Sequence, residues 1–115
     1  MTPDDFRRLA LALPDTEEGA HMGHVDFRVG GKIFATLGYP DAAWGMARLP
    51  PEQQELFVAA DPEAFRPVKG AWGRQGATNV RLEAVDETNL DRALRAAWLA
   101  RAPRPIAERH GAPSA

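Results

Sequence analysis

The chain of 115 residues carries no cysteine and a formal net charge of -2. This excludes disulfides, thiolate metal sites, iron–sulfur clusters and cysteine nucleophiles, and it argues against strong non-specific nucleic-acid binding, which rests on a basic excess. A hydrophobic fraction of 44% and a charged fraction of 26% are those of a soluble globule with one core, and no apolar run approaches the ~20 residues that span a bilayer. The first residues, MTPDDFRR, are acidic and then helical, unlike a secretory leader. The expected location is the cytoplasm, with no membrane partner.

Thr2-Pro3-Asp4-Asp5 combines a capping hydroxyl, a proline suited to the first helical turn and acids that complement the helix dipole. Phe6, Leu9, Ala10 and Leu13 follow at core-facing spacing, and Pro14 stops the helix. Thr16 to Ala20 reads as a short strand. Two alternating runs come next. Val25, Phe27 and Val29 alternate with Asp26 and Arg28; Ile33, Ala35 and Leu37 alternate with Lys32, Phe34 and Thr36. Period-2 alternation divides side chains between the two faces of a sheet, and Gly30-Gly31 between the runs is a two-residue hairpin turn.

Gly38-Tyr39-Pro40-Asp41 is a turn cluster. Ala43 to Leu49 reads as a further strand, with Trp44, Met46 and Arg48 on one face and Ala47 and Leu49 on the other. Pro50-Pro51-Glu52 opens a second helix whose buried stripe is expected at Leu56, Ala59 and Ala60, with Phe57 beside it. Phe65 to Ala77 is loop-rich, too irregular for a strand, with at most one helical turn near Trp72. Thr78 to Glu83 is a return strand with Val80 and Leu82 inward. Asp86 caps the last helix, whose stripe is Leu90, Ala93, Leu94, Ala97 and Trp98. Pro103 ends it, and residues 104–115 are expected to be a disordered tail after a single domain of residues 1–103. The order α-β-β-β-β-α-loop-β-α suggests an α+β domain, an antiparallel meander with helices on one side.

Several groups could carry chemistry. His21, His24 and Asp26 are acceptable donors for a divalent metal or for acid–base work, but no third ligand stands at a fixed spacing and no metal or cofactor is expected. The only serine is Ser114, in the tail, so a serine triad has no nucleophile on the folded body. From Ala64 to Leu82 the charged residues are Arg66, Lys69, Arg74 and Arg81, uninterrupted by an acid. Within this stretch Gly70-Ala-Trp72-Gly73-Arg74-Gln-Gly76 offers freed backbone amides, one cation and an indole, with Lys69 just before it adding charge, although it matches no nucleotide fingerprint. The plainer role of Trp72 is to plug the open side of the sheet. Arg28 and Lys32 flank the Gly-Gly turn, as in a basic hairpin tip that meets a phosphate backbone.

Glu18-Gly-Ala-His21-Met-Gly-His24, the hairpin Asp26 to Ala35 and Phe65-Arg-Pro-Val-Lys-Gly-Ala-Trp72-Gly73-Arg74-Gln75-Gly76 together resemble the MmcQ/YjbR family of small bacterial proteins, from Phe6 to about Ala102. The resemblance implies a double-wing α+β fold similar in layout to frataxin-like proteins, and DNA contact by hairpin and loop. Val25, Pro50 and Ala77 depart from the family pattern, and Ala77 removes an aromatic that could stack on a base. Iron binding does not carry over, because the first helix has only Asp4 and Asp5 in place of an acidic ridge. The expectation is a non-enzymatic DNA-binding or DNA-associated protein. Arg28, Lys32, Arg66, Lys69, Arg74 and Arg81 would meet phosphates and Trp72 would stack, with weak, salt-sensitive affinity. The alternative is a small-ligand or protein-interaction adaptor whose groove is lined by His21, His24, Trp44 and Trp72.

Overall fold

The structure, a computed structural model, describes residues 1–110, without the side chain of His21. Helix α1 (Pro3–Leu11) begins at a reciprocal cap: Thr2 Oγ1 accepts from the Asp5 amide, and Asp5 Oδ2 accepts from the Thr2 amide. Its expected stripe, Phe6, Leu9, Ala10 and Leu13, is buried. Strands β1 (Thr16–His21), β2 (His24–Val29), β3 (Lys32–Leu37) and β4 (Trp44–Arg48) follow. Then come α2 (Pro51–Ala60), β5 (Phe65–Pro67), α3 (Ala71–Arg74), β6 (Ala77–Arg81), α4 (Glu87–Arg101) and α5 (Arg104–Arg109).

The six strands form one sheet in the order β1-β2-β3-β4-β6-β5, with every neighbouring pair antiparallel. The α+β class read from the sequence is the fold observed. Gly30 and Gly31 make the β2–β3 turn with φ of 57° and 81°, the left-handed region that glycine enters without strain. One face of the sheet carries the core. Phe27, Val29, Ala35, Leu37, Ala47 and Val80 point into it and meet the stripes of α1 and α4. Phe6 lies against Gly45, where even a β-carbon would be 2.5 Å from its ring. Asp86 caps α4 through the Asn89 amide, and Leu90, Ala93, Leu94, Ala97 and Trp98 are buried as expected.

Four expectations change. Phe34, assigned to the polar face, is fully buried. Phe27 pairs with Ala35 but Arg28 pairs with Ile33, so Phe34 is the extra residue of a bulge that turns its ring into the core. In α2 the stripe is not Leu56, Ala59 and Ala60. Leu56 is 69% exposed, both alanines are exposed, and Gln54 is buried in their place. Gln54 Nε2 donates to the carbonyls of Gly73 and Ala77 and to Thr78 Oγ1, at 3.0–3.1 Å. A polar side chain can face inward here because α3 and the start of β6 present it with acceptors, two carbonyls and a hydroxyl.

Third, the segment expected to be loop-rich and too irregular for a strand contributes the edge strand β5 at Phe65–Pro67, paired with β6 through Phe65 and Val80. Fourth, the tail expected to be disordered from Arg104 is helical through Arg109. It docks because Pro103 and Ile106 pack over Gly30, while Arg109 and His110 reach Asp15 at 3.3 and 2.8 Å. Residues 111–115 of that tail, Ser114 included, lie outside the described residues.

Candidate functional site

The helices cover one face of the sheet, and the register decides what stands on the other. Residues paired across neighbouring strands share a face. The pairs Trp44–Arg81, Met46–Asn79, Asp26–Thr36, Thr36–Met46 and Asn79–Arg66 therefore all lie opposite the core. Arg28, opposite Ile33, and Arg48, opposite Ala77, extend this face toward the hairpin turn. Antiparallel sheets tolerate such a one-sided arrangement.

Two arginine–tryptophan pairs dominate the open face. The Arg66 guanidinium lies 5.6 Å from the Trp44 ring centroid, and that of Arg48 lies 5.9 Å from the ring of Trp72. Trp72 is held on α3, whose backbone runs so close to the chain before it that a β-carbon on Gly73 would lie 1.6 Å from the Val68 carbonyl oxygen. The glycine is there for that approach. Trp72 does not plug the sheet: it is 53% exposed, with its ring against Arg48.

The six cations expected to meet phosphates divide into two groups. Arg28 is committed to structure. It donates from Nε and Nη2 to the two carboxylate oxygens of Asp26, at 2.9 and 3.1 Å, and that hydrogen bond raises its pKa. Asp26 is 1% exposed, and this fork is the ion pair it makes among the described residues. Gly19 leaves room for the pair, since a β-carbon there would lie 2.9 Å from Asp26 Oδ1. Arg81 is drawn to Glu83 at 3.2 Å. Lys32, Arg66, Lys69 and Arg74 are without a carboxylate partner among the described residues. Arg66 lies on the open face and Lys69 and Arg74 stand around α3, whereas Lys32, at the hairpin tip, pairs with the core residue Val29 and so does not share the face of Arg28.

The groove proposed for His21, His24, Trp44 and Trp72 is not one place. His24 stacks edge-on against Tyr39, with centroids 5.6 Å apart, and lies near Gly38, whose amide donates to the Trp44 carbonyl. Trp72 belongs with Arg48, four residues or roughly 13 Å along β4 from Trp44. Asp26, the acid nearest the histidines in sequence, is already engaged by Arg28. No group of three histidine, aspartate or glutamate side chains suited to a metal is found among the described residues.

Sequence reasoning missed Arg48 as a member of this surface and Arg101 at the same end of the sheet. Arg48 was assigned to the correct strand face but not to the site. Arg101 is the last residue of α4, and its Nε donates to the Ile33 carbonyl at 3.2 Å. No local signal in either segment marks the meeting, because it depends on where α4 ends over the sheet.

Comparison with known proteins bears on the fold and the family. No curated protein matches the chain. The crystal structure of Deinococcus radiodurans protein DR2400, described with a DUF419 domain, superposes with a TM-score of 0.76. The match covers 99% of this chain and 91% of that one at 20% identity, a likeness of fold. The model of the YjbR family matches residues 11–100, from the end of α1 almost to the end of α4. The chain belongs to the YjbR family.

Proposed function

We propose that this protein associates with DNA through the helix-free face of its sheet and does so without catalysing a reaction. The observation that carries the reading is the two arginine–tryptophan pairs, Arg66–Trp44 and Arg48–Trp72, on one exposed face. Bases stack on aromatic rings regardless of sequence, and guanidinium forks suit the phosphates between them. Single strands, whose bases are free to stack, fit this surface better than a closed duplex. A net charge of -2 makes the affinity weak and dependent on salt. The commitment of Asp26 to Arg28 supports a binding role over an acid–base one.

The test is a salt titration of binding to a short single strand and to its duplex, with Arg66→Ala and Arg74→Ala beside the wild type. Expected is micromolar affinity for the single strand, weaker for the duplex. Each lost phosphate contact should flatten the logarithmic salt dependence by about 0.7. Absence of binding to either form at low salt overturns the reading. An interaction site for a small ligand or protein at His24, Tyr39 and Trp44 is the second reading, favoured by the exposed edge-on stack of His24 and Tyr39. It predicts that Tyr39→Ala abolishes capture of that partner while leaving DNA affinity unchanged.

A further inference from the structure

Arginines across this molecule reach carboxylates, Arg7, Arg8, Arg28, Arg81 and Arg95 among them. Arg48 and Arg101 do not, among the described residues, although both are half-buried. They lie at the same end of the sheet, in different layers. Arg48 lies at the end of β4, one residue past the Ala35–Ala47 pair and alongside the bulge at Phe34. Arg101 arrives from the end of α4 and donates to the Ile33 carbonyl within the same bulge. Burial, followed by the nearby positive charge of Arg101, holds the Arg48 guanidinium below its ordinary pKa.

Two like charges, partly withdrawn from water and without a counter-ion, destabilise the fold that brings them together. An anion between them would remove that penalty. Two planar forks suit a tetrahedral oxyanion with several acceptor oxygens better than a singly charged halide. Trp72, ring against Arg48 and half-exposed, adds a flat apolar wall beside the anion. We propose that Arg48 and Arg101 form a phosphate-binding site walled by Trp72. The phosphate has two possible sources, the backbone of a single strand or a free nucleoside monophosphate. The first source rests on the DNA reading above; the site itself does not.

The experiment follows melting temperature and tryptophan emission while inorganic phosphate replaces chloride at constant ionic strength. Phosphate at millimolar concentration should raise the melting temperature by a few degrees and alter emission, and Trp72→Phe should abolish the emission change. Arg101→Gln keeps a donor for the Ile33 carbonyl but removes one charge. It should weaken phosphate binding at least tenfold while melting in chloride is unchanged or higher, a combination that loss of a merely structural arginine would not produce. Arg48→Lys, which keeps charge without the fork, should also weaken binding. A melting temperature indifferent to phosphate, or wild-type phosphate affinity in both variants, overturns the site. Adenosine 5′-monophosphate and a thymidine oligonucleotide without terminal phosphate then separate the sources. Displacement of phosphate by the oligonucleotide assigns the backbone; tighter binding of the mononucleotide, with no displacement by the oligonucleotide, assigns the free ligand. If phosphate binds and no DNA does, the DNA reading fails and the site stands. If DNA binds with no phosphate effect and no change in Arg101→Gln, the site fails and the DNA reading stands.

Discussion

The two faces of the sheet use their residues in opposite ways. Against the helices, side chains are apolar and their positions follow from packing, with Phe6, Phe27, Phe34, Leu90 and Leu94 fully buried. On the open face, tryptophans and arginines alternate with small polar residues, and Met46 lies buried among them at 4% exposure. Substitution on the covered face should cost stability through lost burial and cavities. On the open face most substitutions should cost binding instead. Asp26 and Arg28 are the exception, an open-face pair that behaves as structure because the acid is buried.

The largest effect is expected where the covered face departs from simple alternation. Phe34→Ala should destabilise the protein by about 3–5 kcal/mol, measured by chemical denaturation, whereas Thr36→Ala beside it should change stability little. If the two variants behaved alike, the bulge would not be turning Phe34 into the core. Arg28→Ala comes next. It leaves Asp26 buried without its counter-ion and should lower the melting temperature by more than Arg28→Ala combined with Asp26→Ala, since the double variant removes the stranded charge. A double variant that is less stable than the single one would show that Asp26 does not need the fork.

Gln54→Leu examines the polar contact between α2 and the loop carrying Trp72. The Gly73 and Ala77 carbonyls each keep a backbone partner, from the Gly76 and Val68 amides, so losing the Gln54 bonds should cost about 0.5–1.5 kcal/mol, and faster hydrogen exchange in residues 70–78 should accompany it. Arg66→Ala should leave the denaturation midpoint within error of wild type and reduce single-strand affinity several-fold; a stability loss with unchanged affinity would reverse the assignment of the open face. The smallest effect concerns pH. Hydrogen bonds from Thr2 hold Asp5, and one from His110 holds Asp15, below the ordinary value of 3.8. Such acids contribute stability that is fully present above the ordinary value and is lost as pH falls through the lower folded value. The melting temperature should therefore drop below pH ~4, and Asp15→Asn should blunt part of that drop.

Periodicity made much of this protein legible in its sequence. The stripes of α1 and α4, the Gly-Gly hairpin, the Asp86 cap and the antiparallel α+β class all rest on neighbours within a few residues, where backbone geometry alone assigns faces. The stretch from Phe65 to Gly76 was legible as irregular but not as containing β5, because a three-residue edge strand is fixed by its partner β6. The same holds for α5. Its short, proline-bearing sequence could not sustain a helix alone, and docking on Gly30 and Asp15 supplies what local propensity lacks.

The candidate site divides along the same line. The sequence by itself determined which residue types were present: an acid-free run of cations, three tryptophans and no thiol. It also placed Trp44, Met46 and Arg48 together on one face of a strand. Only the tertiary structure decided which cations remain available. Arg28 was withdrawn by a buried acid two residues away, Arg81 was drawn to Glu83, and Arg101 was carried from the end of a helix to the Ile33 carbonyl. Charge is a property of single residues and can be read from their identity. Pairing depends on which side chains burial and packing bring together, and for Arg101 that is set by the packing of α4 on the sheet and the bulge at Phe34.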